Sequence, residues 1–214
     1  VPVPDQLEAL LDGQQLWRAG EPGMRPGGPV LPSGFDHLDA CLGGGWPQGA
    51  LIECLAGSHG IGELSLLMPV LARLSRQPSA ATGWLMLVAP PHLPHVQAWQ
   101  QHGVDVARLL IIRASGRDDI YWAIEQGLRS GACAAVLGWA GPAATLSLKR
   151  LHLAARDNTV LSVLFRPPRC RQQHSPASLR IALASAGSGR LHLELFRRRG
   201  QGMPTSLVLD PAGG

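Results

Sequence analysis

Eight consecutive residues, Gly57-Ser58-His59-Gly60-Ile61-Gly62-Glu63-Leu64, have the spacing of a phosphate-binding turn without its chemistry. The pattern Gly-x-x-x-x-Gly-Lys-Ser/Thr wraps backbone N–H groups around phosphates. It sets a lysine on the terminal oxygens and a hydroxyl on Mg²⁺. Both glycines are in place, at Gly57 and Gly62, but Glu63 holds the lysine position and Leu64 the hydroxyl position. Two unit charges about 4 Å apart interact by about 4 kcal/mol at an effective dielectric near 20. Reversing the sign beside a triphosphate therefore removes most of its affinity. The glycines have a second use, because a tight strand-to-helix turn needs positive φ. Ser58 and Ser65 leave room for weak ligand binding at the start of the following helix.

Other reactive side chains form no constellation. His92 and His95 sit three apart near a helix start, with no carboxylate or third ligand adjacent, so no metal site is expected. Cys41, Cys54, Cys133 and Cys170 form no Cys-x-x-Cys pair and read as small hydrophobes in a reducing compartment. Ser33, Ser65 and Ser115 lack a His/Asp partner at motif spacing. Trp84, Trp99, Trp122 and Trp139 fall in apolar elements and read as core. Trp17 and Trp46 lie in a leading helix and a Gly/Pro-rich stretch and read as exposed contacts.

The elements that position the turn alternate in type. Asp5–Trp17 has helical apolar spacing, and a Gly/Pro-rich linker runs to Pro32, so residues 1–32 form a leading helix and linker ahead of a 33–214 domain. A short helix around Asp36–Leu42 closes on Gly43-Gly44-Gly45. Apolar strands are expected at Ala50–Leu55, Gly83–Ala89, Leu109–Arg113, Ala132–Trp139 and Val160–Phe165. Helices fall at Leu64–Leu74 (kinked near Pro69), Pro94–His102, Asp118–Ser130 with Glu125 and Arg129 outward, and Leu146–Arg156. Leu179–Ala184, Arg190–Arg197 and Ser206–Leu209 read as antiparallel strands. The class is α/β, a mostly parallel twisted sheet flanked by helices and extended by antiparallel C-terminal strands.

The chain has 214 residues, 45% hydrophobic and 16% charged, enough for one folded domain. No apolar run reaches membrane-span length and no secretory leader is visible, so a cytoplasmic protein is expected. The net charge is +4, and the basic excess lies C-terminal to Lys149. Arg166, Arg169 and Arg171 in one loop and Arg197, Arg198 and Arg199 in a run form either a solvated face or a patch for an acidic partner.

The order of these features resembles the RecA-type domain: Ser33-Gly34, Leu38-Asp39 and Leu42-Gly43-Gly44-Gly45-Trp46-Pro47-Gln48-Gly49, a strand, the Gly57–Leu64 turn, and Gly103-Val104-Asp105. The chain is more closely similar to the ImuA family of RecA-like mutasome accessory proteins, itself related to the SulA division inhibitors. The matching strings are Leu10–Arg18, Gly60–Leu64, Val88-Ala89-Pro90-Pro91, Gln97-Ala98-Trp99-Gln100 and Glu125–Gly131.

The resemblance implies a RecA-like P-loop core. Against an active ATPase of that type, the acid after the second strand falls at Pro91 and the acid ending the fourth strand at Gly138. With Glu63 and Leu64, these losses imply no ATPase activity and no nucleotide cofactor. The implied role is an SOS-induced adaptor in error-prone translesion synthesis, associated with the nucleoid when assembled. The implied partners are ImuB, the mutasome polymerase and RecA. Candidate contacts are Leu10, Trp17 and Arg18 in the leading helix, together with the six arginines named above. The short basic loop at Arg166–Pro176 also admits weak, salt-sensitive DNA binding. The alternative implied by SulA is a division inhibitor that binds FtsZ.

Overall fold

A computed structural model describes residues 29–77, 83–198 and 205–211. Leu10, Trp17, Arg18 and Arg199, and the expected leading helix, lie outside the described residues. Eight strands form one mixed sheet in the order β10-β9-β8-β3-β7-β6-β4-β5. These are β3 (Ala50–Ala56), β4 (Trp84–Val88), β5 (Leu109–Ile112), β6 (Cys133–Trp139), β7 (Leu161–Arg166), β8 (Leu179–Gly187), β9 (Arg190–Arg198) and β10 (Thr205–Leu209). A two-stranded ribbon, β1 (Val30–Leu31) with β2 (Trp46–Pro47), precedes it.

The sheet is parallel from β5 to β8, and only the β8–β9 and β9–β10 pairings are antiparallel. The expectation of three antiparallel C-terminal strands is thus corrected at the first of them. β8 runs parallel to β3, with Cys54 opposite Ile181. The central strands are apolar on both faces because helices cover both, as buried parallel strands require. One face, with Leu85, Leu87, Leu137 and Val163, packs against α1 (Asp36–Leu42) and α2 (Met68–Ser75). The other, with Leu51, Met86, Val136 and Leu164, packs against α4 (Arg117–Arg129) and α5 (Thr145–Arg156). The remaining helix, α3 (Val96–Gln101), begins at His95, whose Nδ1 accepts the Ala98 N–H.

Several local expectations change. Pro69 starts α2 rather than kinking it, since its missing N–H has no helical partner in the first turn anyway. Trp46 is fully buried in the first core cluster. Trp99 and Trp139 are buried as expected, whereas Trp84 and Trp122 are exposed. Glu125 faces inward, with Tyr121, Ile124 and Leu128 on the buried stripe of α4. Trp122 lies about 200° around the helix from Ile124 and cannot share that stripe. Among the described residues, no helix is long and apolar enough to cross a membrane.

Candidate functional site

The turn leaves β3 at Ala56 and places its glycines unequally. Gly60 and Gly62 have φ of 77° and 102°, values that a side-chain-bearing residue rarely adopts. Gly57 has no positive φ, so the expected conformational reason holds for Gly62 but not for Gly57. A 3-10 turn, Ser65–Leu67, then leads into α2.

Glu63 sits inside this turn. One carboxylate oxygen, Oε1, accepts the Gly60 N–H and the other, Oε2, accepts the Ile61 N–H, each at 3.0 Å, and the residue is buried. Consecutive N–H groups in a Gly-rich turn form an anion-binding concavity. Here the anion is covalently attached. The Leu66 and Leu67 N–H groups are also taken, by the Gly62 and Leu64 carbonyls. Leu64 packs half-buried against the core instead of offering a hydroxyl.

Glu63, Leu64 and Pro91 line one cleft of about 310 Å³ at the carboxyl ends of the parallel strands. Its walls include Leu87, Trp99 and Trp139, and His59, His92 and His95 stand at its margin. Ligand crevices in open α/β sheets form at that end of the strands. Gly138, by contrast, faces the opposite side of the sheet. A Cβ there would lie 2.3 Å from Ile124 Cδ1 of α4. The β6 residue that reaches the cleft is Trp139, stacked on Phe165 at 4.9 Å. Glu63, Leu64 and Pro91 therefore come together, and Gly138 does not join them. His59 and His92 approach edge to face at 6.4 Å, and no group of three or more His, Cys, Asp or Glu side chains among the described residues could hold a metal.

A second buried carboxylate went unrecognised in the sequence. Glu53, in the middle of β3, is fully buried. Its oxygens accept hydrogen bonds from Arg166 Nη1 at 3.0 Å, Arg180 Nε at 2.7 Å and Ser175 Oγ at 2.9 Å. Arg180 also donates to the carbonyls of Cys170 and Arg171, tying down the loop between β7 and β8. Arg166 is consequently 2% exposed and is a structural cation, which corrects its assignment as a partner or DNA contact. The signal was available. An acid in the apolar run Ala-Leu-Ile-Glu-Cys-Leu-Ala has to be matched by buried cations, because an unpaired charge there is too costly.

The other loop arginines divide. Arg169 is exposed. Arg171 forms a two-point pair with Glu194 and covers the Phe196 ring at 4.5 Å. The Arg171 guanidinium holds the Glu194 carboxyl below its usual range. Arg197 and Arg198 end β9, opposite Arg180 and Leu179. Next to Glu53, burial pushes the Cys54 thiol up to about 12, and the negative charges of Glu53 and Glu63 act in the same direction. That thiol is inert at neutral pH.

The fold and this turn define an α/β protein whose Gly-rich turn after β3 is filled by its own carboxylate. No family model matches the chain. The cell division inhibitor SulA of Edwardsiella piscicida is 30% identical to it over 146 residues, spanning 68% of this chain and 84% of that protein. The chain belongs to the SulA-related family.

Proposed function

We propose that this protein is a non-catalytic, protein-binding member of the SulA-related family that serves the response to DNA damage. The observation that carries the reading is Glu63, whose carboxylate takes the Gly60 and Ile61 N–H groups a phosphate would need. A nucleotide would have to displace a buried carboxylate held by two hydrogen bonds and would then face its charge without a lysine. On this reading the turn descends from a RecA-like P-loop, ATP turnover is lost, and the domain acts through its surface. The finer role is an adaptor in error-prone translesion synthesis that binds ImuB and the mutasome polymerase, contacts RecA and modulates its filaments. The ImuA-like strings along the chain support this role.

A second reading is a division inhibitor acting on FtsZ, and the name of the Edwardsiella relative favours it. Binding of the immobilised full chain to purified RecA, ImuB and FtsZ separates the two. Retention of RecA or ImuB supports the adaptor, and retention of FtsZ alone supports the inhibitor. Binding to none of the three overturns both.

A further inference from the structure

We propose that the outer face of α4 and α5 is a docking surface for an acidic amphipathic helix of a partner protein. Three large apolar side chains stand in solvent there: Trp122 at 61% exposure, Leu146 at 68% and Leu153 at 52%. A lone exposed leucine needs no explanation, but two leucines and a tryptophan on the outer sides of two helices joined through Glu125 and Arg150 do. Leu146 and Leu153 are seven residues apart on α5, two turns or about 10 Å along one stripe. Glu125 joins the helices at the foot of the patch. It pairs with Arg150 of α5 at 2.6 Å and with Arg129 of α4 at 3.2 Å.

Those pairs also set the sign of the face. Glu125 is buried, while the Arg129 and Arg150 side chains remain 54% and 56% exposed, and Lys149 beside them is exposed as well. The cationic heads therefore flank the apolar stripe of α5, while Asp118, one turn before Trp122 on α4, is paired with Arg117. A partner helix with apolar residues at i, i+3, i+4 and i+7 and carboxylates at its margins complements both features. A nucleic-acid backbone would meet the cations but leave the leucines without a partner, so the geometry favours protein. Trp and Arg are also the side chains that most often anchor interfaces. The inference rests on the reading of the chain as a protein-binding module, but not on which partner it has.

The test uses the full chain and a fluorescein-labelled peptide of about 18 residues, five helical turns, with leucine on one face and glutamate on its flanks. Fluorescence anisotropy is compared with the same peptide carrying lysine for glutamate, and with labelled duplex DNA. Saturable binding of the acidic peptide is expected, at least about tenfold tighter than the lysine peptide. Trp122→Ala and the Leu146→Ala/Leu153→Ala pair should each weaken it by about tenfold, and Lys149→Glu by several-fold. These positions are exposed, and thermal melts confirm that the variants fold. Failure of the acidic peptide to bind, equal binding of the lysine peptide, indifference of the variants, or binding of DNA in preference to peptide would each overturn the proposal. A chain that binds this peptide but none of RecA, ImuB and FtsZ would keep the docking face and lose the functional reading.

Discussion

Two buried carboxylates ten residues apart are neutralised in opposite ways. Glu53 is met by two guanidiniums and a hydroxyl drawn from residues more than 110 positions away, so it ties β3 to β7, β8 and the loop between them. Glu63 is met by two backbone amides two and three residues before it and, among the described residues, by no salt-bridged cation. The first is a tertiary device, and its loss is felt by the whole sheet. The second is a local device, and its loss is felt by one turn. A buried charge in this protein therefore reports on stability or on site chemistry according to where its partners come from.

The largest expected effect breaks the first device. Glu53→Gln leaves Arg166 and Arg180 without their counter-charge and should cost about 3–5 kcal/mol, read by urea unfolding. A loss below about 1 kcal/mol would show that the cluster does not hold the sheet. Glu63→Ala should cost less, about 1–3 kcal/mol, because two N–H groups lose a charged acceptor but stay near solvent. It should also create a gain: the freed amides would let millimolar phosphate raise the melting temperature of the variant and not of the wild type. Equal phosphate effects on the two proteins would mean that the turn is not an anion nest.

Alkaline pH probes the same neighbourhood. Burial raises Cys54 from its ordinary value of 9.0, and Tyr121 from 10.0, to about 12 in each case. The unfolded chain thus releases these protons while the folded protein still holds them. Stability should fall as pH rises from about 9 to 12, at up to about 1.4 kcal/mol per pH unit for each group. Cys54→Ala should flatten the lower part of that decline, and an unchanged slope would remove Cys54 from the account. The smallest effect belongs to Arg169→Ala. At this exposed position the change should move stability by no more than about 0.5 kcal/mol, in contrast to the buried Arg166 three residues earlier.

That contrast marks what could be read from the sequence. The strands of the parallel core are legible because their apolar runs are too short for helices and are bounded by turn residues. That Glu63 and Leu64 stand where a phosphate-binding turn would carry a lysine and a hydroxyl is legible from the spacing of Gly57 and Gly62. Identity of type within a loop was not enough to separate Arg166 from Arg169. That distinction depends on Glu53, which lies 113 residues away and is in contact only after β3 and β7 pair. The exposure of Trp122 follows from its angle around α4 and not from the apolar residues beside it in sequence. A Gly/Pro-rich surrounding does not reveal burial at Trp46, which the β1–β2 pairing folds into the core. Gly138 shows the same limit. A strand alternates faces, and the register of β6 turns Trp139, not residue 138, toward the cleft.

The central claim is that Glu63 has closed the turn to phosphate. Isothermal titration of the wild-type chain with ATP and Mg²⁺ tests it most directly. No saturable heat is expected up to millimolar nucleotide, and micromolar binding would show that Glu63 leaves the turn open.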